Sequence, residues 1–81
     1  MTSNSSLPQW PALLELIDNE GQVTIGYVDP IPCVAIASDS HNMIAALKRQ
    51  RGESLVSLLN RLDTAVALAE EDGSYIDEIN G

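Results

Sequence analysis

The segment Ser38–His41 reads Ser-Asp-Ser-His, which combines the residue types of a hydrolytic active site. A nucleophile, a base and the group that orients the base must converge in space, and consecutive residues of one segment do not achieve this. Serine and aspartate just before an apolar run are instead typical of the N-cap of a helix. We therefore interpret Ser38, Asp39 and Ser40 as capping residues and predict a protein that is not an enzyme, with no catalytic residue.

The residue types that bind metals are too few to form a site. Zinc requires about four nitrogen or sulfur ligands, whereas the chain has one histidine, His41, and one cysteine, Cys33. Asp77 and Glu78 lack the spacing of a calcium-binding loop, and the five glycines follow no phosphate-binding motif. We therefore expect no metal and no cofactor, and we interpret Cys33 as a small buried apolar residue.

The chain of 81 residues is strongly acidic, with 12 carboxylates, four bases and a net charge of −8. This charge argues against direct binding to a nucleic-acid backbone or to an anionic membrane. It fits a protein that binds a basic protein, or one that occupies a nucleic-acid groove by imitation. A third explanation, in which the acidity only favours solubility, stays open. No signal peptide or membrane-spanning stretch is apparent, so we expect a cytoplasmic protein of a bacterial type.

All four bases lie between residues 48 and 61, at Lys48, Arg49, Arg51 and Arg61. This group could form a basic spot that docks an acidic ligand. The simpler interpretation is that bases at the end of a short helix complement its negative pole. The bases could also pair with the acidic C-terminal residues.

Residue spacing predicts one α+β domain over residues 7–73, between a disordered tail (1–6) and an acidic, apolar tail (74–81). Trp10, Leu13, Leu14 and Ile17 have the spacing of one helical face. Alternation over 22–28 and a second strand over 33–38 predict an antiparallel hairpin. A short helix ending near Arg51 and a long helix over 53–71 should follow. The expected fold is thus helix, hairpin, helix, helix, with a two-stranded sheet packed on the long C-terminal helix.

The hairpin would leave unpaired backbone at its edges, and an edge strand invites pairing with another chain. We therefore expect a homodimer formed through the hairpin edge, or a partner that adds a strand. In the tail, large apolar side chains stand beside carboxylates, so the tail either packs on the domain or orders on a partner. The predicted partner-binding residues are Glu70, Glu71, Asp72, Tyr75, Ile76, Asp77, Glu78 and Ile79.

Residues 26–35, Gly-Tyr-Val-Asp-Pro-Ile-Pro-Cys-Val-Ala, followed by Ser-Asp-Ser at 38–40, resemble the strand, proline loop, cysteine and strand of HicB-type antitoxins. The resemblance is limited to residues 26–40. It implies a protein that neutralises a toxin through its acidic surface and C-terminal region.

The favoured function is therefore a small interaction module that binds a basic protein stoichiometrically, in an antitoxin-like or regulatory role. One alternative is an acidic inhibitor encoded by a mobile element, which would imitate nucleic acid with Glu15, Asp18, Glu20 and Asp63 as much as with the tail. Another is a structural dimerisation domain.

Overall fold

A computed structural model describes residues 9–79. The elements, in chain order, are the helix α1 (Pro11–Asp18), the strands β1 (Gln22–Val28), β2 (Ile31–Ser38) and β3 (Met43–Lys48), the helix α2 (Leu55–Asp72) and the strand β4 (Ile76–Asp77). They form one four-stranded mixed sheet in the order β1-β2-β3-β4. The predicted disordered tail, residues 1–6, lies outside the described part of the chain.

The sheet has twice as many strands as the sequence predicted. β1 and β2 form the expected antiparallel pair, but β3 adds antiparallel to β2, and β4 adds parallel to β3. The α+β class is correct, whereas the two-stranded sheet and the helix–hairpin–helix–helix order are wrong. The helix α2 connects the parallel strands β3 and β4, because parallel neighbours need a long crossover rather than a tight turn.

The segment predicted as a short helix forms β3, an interior strand of the sheet. Its residues Ile44, Ala45, Ala46 and Leu47 are all buried. A short continuous apolar run fits a buried strand as well as a buried helix, and the alanines favour a helix by intrinsic propensity. Pairing with strands on both sides overrides that propensity.

The hairpin turn and a bulge accommodate the prolines of the β1–β2 segment. Asp29 and Pro30 form the turn, with Val28 opposite Ile31. The register shifts between Gly26 and Val28, so that Pro32 lies in the irregular part of the ladder. A residue without an N–H is tolerated there because the regular hydrogen-bond pattern is already interrupted.

Both helices pack on one face of the sheet and enclose an aliphatic core. In α1 the buried residues are Leu13 and Leu16, while Leu14 and Ile17 are exposed, so the predicted apolar face of this helix is only partly correct. The cluster of buried residues consists of Leu13, Leu16, Ala35, Ala37, Ile44, Ala45, Leu47, Leu58, Leu62, Ala65, Val66 and Ala69.

The long helix α2 has conventional ends. Ser54 is its N-cap, because the Ser57 N–H donates to the Ser54 hydroxyl oxygen at 3.0 Å. Gly73 ends it in the left-handed region at φ 77°, where glycine has no side-chain penalty. Asp63 on α2 in turn accepts the Leu13 N–H at 3.0 Å, which satisfies one free donor in the first turn of α1. Neither helix is both long and apolar enough to cross a membrane, as judged over residues 9–79.

Candidate functional site

Strand direction divides the charges of the fold between the two ends of the sheet. β1 and β3 run the same way, so both begin at one end, and α2 returns to that end before β4. We call it the acidic end. The carboxylates in the segments that meet there are Asp18, Glu20, Asp39, Glu70, Glu71 and Asp72. The opposite end, where β3 finishes, carries Lys48, Arg49 and Arg51, and we call it the basic end. It also holds Asp29, and Glu53 and Glu78, which are paired with Arg61.

At the acidic end lies an open groove of about 240 Å³. Its lining residues are Leu16, Asn19, Asp39, Ile44, Ala69, Glu70 and Tyr75. We call it the acidic groove. Tyr75 is 67% exposed, so its ring is accessible from solvent. The groove therefore combines an accessible aromatic ring with carboxylates, an arrangement suited to a cationic partner with apolar groups.

The three residues Glu70, Glu71 and Asp72 occupy the last turn of α2, which contains no basic residue. The C-terminal end of a helix carries partial negative charge, so carboxylates at this position are unfavourable. The Asp72 carboxylate offsets part of this cost by accepting the Ser74 N–H at 2.9 Å. Among the described residues, Glu70 and Glu71 form no ion pair, so their charges remain available to a ligand.

The C-terminal residues predicted to bind a partner divide into two groups. Tyr75 faces solvent beside Glu70, as a binding residue would. Ile76 packs against the core cluster, and Asp77 stands opposite Ala46 in the sheet. Ile79 is half-buried, with its N–H donated to the Asp77 carboxylate at 2.9 Å. Residues 76–79 are thus integrated into the fold.

Glu78 belongs to an ion-pair network, and its pair with Arg61 is one that the sequence allowed between the bases and the acidic C-terminal residues. Glu78 accepts the Lys48 N–H at 2.9 Å and pairs with the Arg61 guanidinium at 3.2 Å. Arg61 also pairs with Glu53 at 2.7 Å and donates to the Lys48 carbonyl at 2.8 Å. We call Glu53, Arg61 and Glu78 the latch, because they fasten the chain after β4 to α2 and to the end of β3.

The latch strongly perturbs the Glu53 carboxylate, whose side chain is 6% exposed. Hydrogen bonds from Arg61, followed by one from the Gln50 N–H, lower the pKa of Glu53 from 4.5 to about 2. The same contact with Glu53 raises the pKa of Arg61. One sequence signal for the latch was available: Arg61 lies three residues after Leu58 and four before Ala65 on the buried side of α2, where a charge needs a partner.

The segment with catalytic residue types forms the turn between β2 and β3. The Asp39 carboxylate accepts the N–H groups of His41 at 2.8 Å and Asn42 at 2.6 Å. These two bonds, with the one from Asn42 the larger cause, lower the pKa of Asp39. The prediction that this segment caps a helix is wrong, because a strand follows it. Asp39 still satisfies backbone donors, although in a turn.

At the basic end, a second groove of about 500 Å³ lies between the β1–β2 turn and the chain after β3. Its lining residues are Pro30, Ile31, Pro32, Cys33, Lys48, Arg49, Gln50 and Arg51. Since β3 is a strand, these bases do not complement a helix pole, and that interpretation is wrong. Of the four bases, only Arg61 forms an ion pair within residues 9–79.

Within residues 9–79 no group of three histidine, cysteine or acidic side chains could hold a metal ion. Among the residues proposed for nucleic-acid imitation, Glu15, Asp18 and Glu20 are exposed, whereas Asp63 is half-buried and bonded to α1.

No family model, curated protein or solved structure matches this chain.

Proposed function

We propose that this protein is a non-enzymatic interaction module that binds a basic protein through its acidic end. The single observation that carries the proposal is the position of Glu70 and Glu71. They stand without an ion pair among the described residues, at the negative pole of a helix of 18 residues, beside the exposed ring of Tyr75. Charges placed where they cost stability are characteristic of binding sites.

The contacts at the acidic end favour a cationic segment that also carries apolar side chains. Lysine or arginine of the partner would pair with Glu70 and Glu71, and an apolar or cationic group would cover Tyr75. In the version implied by the resemblance of residues 26–40, the partner is a basic toxin and the binding is inhibitory. A regulatory partner of the same chemistry fits equally well.

The proposal is tested with a synthetic peptide rich in arginine and leucine, titrated calorimetrically into matched charge variants. Glu70→Gln/Glu71→Gln should bind at least about tenfold more weakly than the unmodified protein, a loss of about 1.4 kcal/mol. Glu15→Gln/Asp29→Asn carries the same change in net charge at two exposed carboxylates outside the acidic end, on α1 and in the β1–β2 turn. It should bind within about twofold of the unmodified protein, because rim charges contribute little to affinity.

Two results would contradict the proposal. The first is failure of the unmodified protein to bind the peptide at low ionic strength. An equal loss in both double variants would mean that the whole acidic surface acts as a diffuse field, as nucleic-acid imitation requires. As an independent readout, Glu70→Gln/Glu71→Gln should raise the free energy of unfolding by about 1 kcal/mol, since two charges leave the negative pole of α2.

A further inference from the structure

The outer edge of β1 has the properties of a strand that pairs with another strand. β1 spans seven residues and pairs with β2 on one side, whereas no described strand pairs with its other side. Between Gln22 and Val28 there is no charged residue and no proline. Those are the residues with which proteins usually prevent pairing at an exposed edge.

Apolar side chains accompany this open edge. Ile25 on β1 is 40% exposed, and on α1, which packs beside β1, Leu14 is 46% and Ile17 is 50% exposed. The same helix buries Leu13 and Leu16 against the core. An apolar group next to unpaired backbone marks a protein-binding surface rather than a solvated one.

The charges at the two ends of β1 indicate which strand would pair with its outer edge. Two carboxylates, Asp18 and Glu20, precede the first residue of β1. The turn that follows its last residue holds one carboxylate, Asp29, and lines a groove with the three bases Lys48, Arg49 and Arg51, so this end is net positive. β1 therefore runs from an acidic end to a basic end. An antiparallel second copy of β1 would place the acidic end of each copy beside the basic end of the other. A parallel copy would place like charges together.

We propose that two copies of this chain pair through antiparallel β1 strands, as a two-fold dimer with one continuous sheet. The interface is isologous, so each favourable contact occurs twice. Leu14, Ile17 and Ile25 of both copies cover the junction on the helix side of the sheet. The inference goes beyond the proposed function and uses neither Glu70 nor Glu71, which lie on α2, a helix that packs on β3, α1 and β2.

The proposed dimer interface is tested by sedimentation equilibrium at millimolar protein concentration. A reductant keeps Cys33 as a thiol. The unmodified chain should be a dimer, and Ile25→Lys should be a monomer because a lysine on an edge strand opposes pairing. The matched control is Leu68→Lys, which places lysine on an exposed leucine of α2 and should remain a dimer. If Ile25→Lys does not fold by circular dichroism, Ile17→Lys on the surface of α1 replaces it.

A monomeric unmodified chain at this concentration, or a dimer that survives both Ile25→Lys and Ile17→Lys, would overturn the proposal. Orientation is tested by charge exchange at low ionic strength. Glu20→Lys and Arg51→Glu should each raise the dissociation constant of the dimer about two- to fivefold. The double variant should return toward the unmodified value, and a double variant weaker than either single change would contradict antiparallel pairing.

Discussion

At one edge of the sheet, β4 contributes only two residues, and the chain after it is held by Glu78. At the other edge, β1 has seven residues, of which none is charged and five are exposed. The Glu78 carboxylate reaches both Arg61 and the Lys48 N–H, so charged groups occupy the surroundings of β4. Short length and charge are the usual means of protecting an edge. The fold therefore protects β4 by short length and charge, whereas β1 has neither and is interrupted only by the bulge between Gly26 and Val28.

The same contrast separates two kinds of carboxylate. Glu53 and Glu78 are bonded to Arg61 and stabilise the fold, while Glu70 and Glu71 have no ion pair within the described residues. The net charge of −8 alone cannot make this distinction, because all of these residues contribute equally to it. Only the second pair is available for recognition at the acidic end.

The largest change in stability is expected from a substitution in the core, which both edges of the sheet share. Leu62 is fully buried, so Leu62→Ala removes apolar contacts and leaves a cavity beneath the sheet. We expect the free energy of unfolding in urea to fall by about 2–5 kcal/mol. The control Leu68→Ala changes an exposed residue of the same helix and should alter it by less than about 0.5 kcal/mol. Similar losses in both variants would contradict the core as described.

The stability of the protein should depend on pH through Glu53, a member of the latch that holds the chain after β4. Folding lowers the pKa of Glu53 from 4.5 to about 2, so the unfolded chain binds more protons between these values. The stabilisation is therefore complete above about pH 4.5 and is lost as the pH falls toward 2. Thermal unfolding of Glu53→Gln across this range should show a weaker pH dependence than the unmodified protein. An equally steep decline would mean that Arg61 does not hold Glu53 ionised.

The smallest change in stability is expected when Glu78, the more exposed carboxylate of the latch, loses its charge. Glu78→Gln keeps an acceptor for the Lys48 N–H but removes the ion pair with Arg61. We expect a loss of about 0.5 kcal/mol, typical of an exposed pair. Hydrogen exchange should accelerate at the Glu78 amide, which donates to the Ala46 carbonyl at 2.7 Å, and should not change in β1. Faster exchange at both edges would show that the latch supports the whole sheet.

Local patterns predicted the elements that depend on local signals. The hairpin followed from alternation and turn residues, and α2 followed from its apolar stripe between Ser54 and Gly73. β3 was missed because its four buried apolar residues fit either kind of element. β4 was missed because two residues carry no periodic signal.

The candidate site was predictable only where residues act alone. Glu70, Glu71 and Tyr75 were proposed because apolar and acidic residues stand together near the C-terminus, and all three lie at the acidic end. The role of Glu78 depends on Arg61, 17 positions earlier in the chain, and only the α2 crossover brings the two together. The sequence indicated that a base could pair with an acidic C-terminal residue, but it did not indicate which base pairs with which carboxylate.

Hydrogen exchange at a series of protein concentrations, followed by mass spectrometry, compares the two edges in one experiment. As the concentration rises, amides of Gln22–Val28 should become protected, while those of β4 and the latch should exchange at a constant rate. Exchange in β1 that does not depend on concentration, or protection that increases at β4 instead, would contradict an open β1 edge and a closed β4 edge.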